Sequence, residues 1–148
     1  MDNRDNKVSV DQIDPNGIYV KLYFQGKNVD PDDITKRLGI VPSRKHKTGE
    51  SHGLNNEFTW KTSTWVLDSR SSIQSTNVEV HLQWLLDQIE PVKSIIKSIA
   101  SDKEVHSEIK CIFLLFSRLY SQSFSPEIIE RISDLNINFV VYYHYLEY

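Results

Sequence analysis

The chain has 148 residues, 17 Lys and Arg against 20 Asp and Glu for a net charge of -3, and 39% apolar content. That length is one domain, and 45 Ile, Leu, Val and Phe residues are enough for one core, which excludes a disordered chain. The mild acidity excludes a broadly basic nucleic-acid surface, the longest apolar run (Cys111 to Phe116) excludes a membrane span, and one cysteine excludes an internal disulfide.

Residues 1–16 form a polar N-terminal extension closed by the turn cluster Asp14-Pro15-Asn16-Gly17, and a single domain is expected over 17–148. Ile18 to Phe24 alternates Ile18, Val20, Leu22 and Phe24 with Tyr19, Lys21 and Tyr23, the period of a half-buried strand. Asp30-Pro31-Asp32-Asp33 supplies an N-cap, a proline at the first helical position and acids at the positive end of the helix dipole. A helix is therefore expected from about Pro31 to Leu38, with Gly39 as its left-handed terminator. From Val41 to Asn56 the chain is a polar loop, long for a compact domain.

Phe58 to Asp68 is rich in strand formers and reads as one strand or as a hairpin broken near Lys61 to Ser63. Thr76-Asn77-Val78-Glu79 is a capping box that opens a long amphipathic helix, with a kink or a fresh start expected at Pro91. Ile109 to Phe116 is apolar on both faces, as a central strand is. Ser125-Pro126-Glu127 starts another helix, and Ile137 to Leu146 is a β-branched and aromatic strand. The order β-α-β(β)-α-β-α-β describes an α+β domain with a three- to five-stranded sheet packed against helices. If Phe58 to Asp68 is a hairpin, the first six elements spell a ferredoxin-like βαββαβ with an added αβ unit.

No catalytic, metal or cofactor motif stands out. His46 and His52 share the polar loop with Glu50, but their spacing fits no zinc template. His81 reads as a helix-surface residue beside the buried stripe, and Cys111 as an inert thiol in a central strand. Neither a nucleophile elbow nor a phosphate-binding glycine loop is present in the sequence. The strongest local charge feature is Arg44-Lys45-His46-Lys47-x-Gly49, four chargeable side chains and a glycine that frees the backbone to approach a ligand. With Trp65 downstream these are the candidate ligand- or partner-binding residues, set against a solvated basic loop and, for Trp65, a place in the core.

The segments Asp32-Asp33-Ile34-Thr35, Leu38-Gly39-Ile40-x-Pro42-Ser43, Lys47-x-Gly49, Trp65-x-Leu67-x-Ser69 and His81-Leu82-x-x-Leu85-Leu86, with the final aromatic strand, form a recognisable set. Together they resemble the bacterial domain of unknown function 4279 family over about residues 17–148. The resemblance implies a small single-domain cytosolic protein and supplies no catalytic residues. This chain departs from it in its polar N-terminus and in a fuller loop between Gly49 and Trp65. The first functional expectation is a cytoplasmic, non-enzymatic domain that binds another protein, of the immunity type. The alternative is a small-ligand or phosphate-binding domain using loop 44–49, and an enzyme with a site scattered along the chain stands third.

Overall fold

Alternation along Ile18–Gly26 (β1) buries Ile18, Val20, Leu22 and Phe24 and turns Tyr19, Lys21, Tyr23 and Gln25 to the opposite face. The computed structural model describes residues 17–115 and 121–145. The polar extension, and the ends expected at Phe116 and Leu146, lie outside the described residues.

Helix α1 (Pro31–Leu38) forms as its signals predict: the Asp30 carboxylate accepts from the amides of Asp32 and Asp33, and Gly39 closes it at φ 67°. The polar loop is not structureless. It holds the edge strand β2 (Arg44–His46) and β3 (Ser51–His52), which pairs with β4 (Phe58–Thr59) in a small separate sheet. Phe58 to Asp68 is thus broken near Lys61 as one alternative had it, but its halves do not pair with each other. β4 joins β3, whereas β5 (Ser63–Asp68) inserts between β1 and β2, where Trp65 and Leu67 reach the core.

Helix α2 (Val78–Ile89) is capped by Asn77, which accepts from the Glu79 amide. Thr76 was the expected cap; the helix starts one residue later, on Asn77, and the Glu79 carboxylate accepts from the Ser125 amide. Pro91 opens a 3-10 turn at Glu90–Val92 and a fresh helix α3 (Lys93–Ser101) follows. β6 (His106–Leu115), α4 (Pro126–Asp134) and β7 (Asn138–Tyr145) complete the described chain. β6 begins earlier than its apolar run because His106, Ser107 and Glu108 already pair with Gln25, Phe24 and Tyr23.

The main sheet has the order β2-β5-β1-β6-β7. Neighbours from β2 to β6 are antiparallel, and β7 joins β6 in parallel through α4. The strands β6-β1-β5-β2, connected by α1 and by α2 with α3, give the split βαββαβ arrangement, and α4-β7 is the added αβ unit. One sheet face is covered: Leu22, Phe24 and Trp65 meet Ile34, Leu82, Leu85, Ile96 and Ile132 in a single cluster. No described helix is long and apolar enough to cross a membrane.

Candidate functional site

The basic loop folds back on α1. Lys45 Nζ lies 2.5 Å from Asp32 Oδ1 and Lys47 Nζ 2.6 Å from Asp32 Oδ2. Their hydrogen bonds bring the Asp32 carboxyl down to about 2. Arg44 points to the other side of the sheet, 3.8 Å from Asp68. Gly49 sits at φ 88° and its amide donates to the Trp60 carbonyl at 2.8 Å, so this glycine serves a turn. His46 and His52 both stack on Trp60, with ring centroids 3.8 and 4.0 Å apart. Burial pushes His46 down, Glu50 opposing and His52 and Arg44 reinforcing the shift. Trp65 is 0% exposed and its indole N–H donates to Thr35 Oγ1 at 3.1 Å, which makes it core. The six candidate residues therefore do not converge on one ligand site. Among the described residues no three His, Cys, Asp or Glu side chains are grouped to hold a metal.

Two reactive residue types are built into the interior. His81 is not on the helix surface but fully buried, because its ring bridges two serines of the preceding segment. Its Nε2 faces the Ser75 carbonyl at 2.8 Å and must carry the proton, so Nδ1 accepts from the Ser69 hydroxyl at 2.7 Å. Ser69 Oγ in turn accepts from the Val20 amide at 3.0 Å, which joins β1 to α2. Cys111 is also fully buried, and desolvation pushes its thiol up to about 12, leaving little nucleophilic thiolate.

The sheet face turned away from the described helices holds a different set. Strand register places Arg44, Val66, Tyr23 and Glu108 in one row, and Asp68, Lys21 and Lys110 in the next. Tyr19, Ile112 and Tyr142 form a third row. Lys21 Nζ and Lys110 Nζ lie 5.2 and 5.7 Å from the Tyr23 ring, and the Arg70 guanidinium stacks 3.9 Å from Tyr19. The Tyr23 hydroxyl donates to the Glu108 carboxylate, and its own proton is held more tightly through burial and that bond. Burial lowers Lys21, and Lys110, Arg44 and Arg70 lower it further. Four cations thus share a face with two carboxylates, Asp68 and Glu108, on a chain whose total is -3. Chemically the face offers cationic hydrogen-bond donors between tyrosine rings, a surface suited to carboxylates and apolar contact together.

Sequence reading reached Tyr19, Lys21 and Tyr23 as the polar phase of a strand and gave them no role. Lys110, Glu108 and Tyr142 join them only through pairing across long stretches of chain. The segments that carry the family resemblance are structural where they meet. The Ser43 amide donates to the Val66 carbonyl at 2.7 Å and Ser43 Oγ accepts from the Asp68 amide at 2.9 Å, fastening β2 to β5. No curated protein and no solved structure matches the chain. The family model described as a domain of unknown function, DUF4279, matches residues 16–146, and the chain belongs to that family.

Proposed function

We propose that this chain is a protein-binding domain and that the open face of its sheet takes an acidic surface of a partner protein. The observation that carries this reading is Lys21 standing directly opposite Lys110 on neighbouring strands, with Arg44 and Arg70 close enough to act on Lys21 and with Tyr19, Tyr23 and Tyr142 around them. Like charges opposite each other cost stability in the free domain, and an incoming carboxylate cancels that cost. Tyr and Arg are also the side chains that most often supply the strong points of a protein interface. Neutralisation of a partner, as an immunity-type protein performs, is the biological form of the same proposal: the domain covers an acidic surface that its partner needs.

Loop 44–49 supports a phosphate site less well, since Lys45 and Lys47 already share Asp32. The test is capture from the source cells with the wild-type chain, with the double variant Lys21→Glu/Lys110→Glu, and with Asp32→Asn as a control. A stoichiometric partner with an acidic surface is expected on the wild type and on the control. It should be lost with the charge reversal and should release as salt rises. Equal recovery on all three baits sinks the proposal.

A further inference from the structure

Three stretches of chain that are distant in sequence enclose a cleft of about 460 Å³. Ile40 from the link between α1 and β2, Leu67 from β5 and Trp84 from α2 give it apolar walls. Its volume falls within the ~300–1,000 Å³ of small-ligand sites. Two of the segments that carry the family resemblance, Leu38-Gly39-Ile40-x-Pro42-Ser43 and Trp65-x-Leu67-x-Ser69, meet here.

The walls are fixed by bonds made elsewhere in the fold. Ser43 is tied to β5 through the Asp68 amide at 2.9 Å. The Ser71-Ser72 turn is closed by the amides of Ser72 and Ile73, which donate to the Ser69 carbonyl at 3.1 and 2.9 Å. Ser69 is itself held by the buried His81 of α2. Trp84 packs against the core one helical turn before Gln88, so both stand on the side of α2 that borders the cleft.

The lining selects a neutral ligand. No Lys, Arg or His borders the cleft, which leaves an anion without a counter-charge. Its one carboxylate, Asp68, accepts from the Arg70 amide at 3.0 Å and lies 3.8 Å from Arg44, so its charge is already matched and does not require a cation. The other polar groups are unengaged. Among the described residues the Trp84 indole N–H, the Gln88 amide and the Ser71 and Ser72 hydroxyls have no hydrogen-bond partner. They set donors and acceptors beside one half-buried aromatic ring.

We propose that this cleft binds a neutral sugar ring, with its C–H face on the Trp84 indole and its hydroxyls bonded to Gln88, Ser71 and Ser72. The face of an indole is electron-rich and attracts the positively polarised C–H bonds of a pyranose. The sugar hydroxyls need donors and acceptors together, which the serines and the glutamine supply. Neither Lys21 nor Lys110 lines the cleft, so the inference stands whether or not the open face binds an acidic partner.

The experiment is an NMR titration of the isotope-labelled full chain with glucose, galactose, mannose and N-acetylglucosamine, and with adenosine and uridine for comparison. Saturable shifts of the Trp84 indole N–H and the Gln88 side-chain amide are expected with one or more of the sugars, while the indole signals of Trp60 and Trp65 stay in place. Gln88→Ala, at an exposed position, should weaken that binding roughly fivefold, the worth of one neutral hydrogen bond. Trp84→Ala should abolish it and Trp84→Tyr, which keeps a ring, should retain it, with folding checked by circular dichroism. Should Trp84→Ala fail to fold, Gln88→Ala decides. Lys21→Glu should bind sugar as wild type does, which separates this inference from the reading of the open face. The absence of a saturable shift with every sugar overturns the proposal, as does binding that Gln88→Ala leaves unchanged. Shifts at Trp84 with the nucleosides alone overturn it in favour of base stacking.

Discussion

Lys21 and Lys110 are paired face to face across β1 and β6, and both ammonium groups lie within 6 Å of the one ring of Tyr23. Asp68 opposite Lys21, and Glu108 at 3.9 Å from Lys110, offset the repulsion without removing it. Replacing Lys110 with Met should therefore stabilise the free domain by about 0.5 kcal/mol while weakening partner binding. Denaturant unfolding reads the first effect and the capture assay the second. The pH dependence has a definite sign. Lys21 is lowered from 10.5, so just below that pH the unfolded chain binds more protons and wild-type stability rises with pH. That rise should shrink in Lys110→Met. A variant less stable than wild type, with an unchanged slope, would show that the pair is not repulsive.

Ser69 carries more than its size suggests. Its hydroxyl accepts from the Val20 amide and donates to His81, with both side chains fully buried. Ser69→Ala strands two buried polar groups at once and should cost about 2–3 kcal/mol. Chemical denaturation measures this, and partner capture at a temperature where the variant is folded should be unchanged. A loss of binding without loss of stability would move the Ser69–His81 pair from structure to function.

How much of this was legible in the sequence follows from the range of each interaction. The cap at Asp30, the stop at Gly39 and the alternation of β1 are local, and the residues that cause them are neighbours. β2 was not legible, because three polar residues become a strand only when β5 supplies their hydrogen bonds. His81 looked like a surface residue because helical periodicity ranks it by polarity, and its burial depends on Ser69 and Ser75 arriving from outside the helix. The open face was half legible: one strand displayed Tyr19, Lys21 and Tyr23, and register alone brought Lys110 opposite. The basic loop misled because a run of cations says nothing of a carboxylate some 13 residues upstream, yet Asp32 is where Lys45 and Lys47 go.

Asp32 gives that last point a test. With its carboxyl at about 2 against an ordinary 3.8, its favourable effect on the fold is present above 3.8 and is lost as pH falls through about 2. Asp32→Asn should therefore be less stable than wild type at neutral pH, by a small margin suited to an exposed site, and equal to it in strong acid. Carboxyl titration by NMR should find the Asp32 midpoint near 2. In the same spirit, replacing Arg44, Lys45 and Lys47 with Ala should leave thermal shifts across a panel of nucleotides and inorganic phosphate unchanged. A shift present in wild type and abolished in the triple variant would return the ligand site to this loop.

The stack of His46 and His52 on Trp60 makes the loop sensitive to acid. His46 is lowered from 6.5 chiefly by burial, and its Nε2 is enclosed with no hydrogen-bond partner among the described residues. Protonation there buries a donor and a charge together, so the stabilising effect of neutral His46 is present above 6.5 and lost as pH falls through its lowered value. The response should be local, since the loop is closed by two backbone bonds, Gly49 N–H to the Trp60 carbonyl at 2.8 Å and Trp60 N–H to the Glu50 carbonyl at 3.0 Å. After correction for intrinsic rates, these two amides should lose protection as pH falls below 6.5 while those of β1 keep theirs. Trp60→Leu should make them exchange quickly at every pH by removing the ring on which both histidines rest. If His46→Ala shows the same acid response as wild type, the titrating group is another residue and the stack is packing alone.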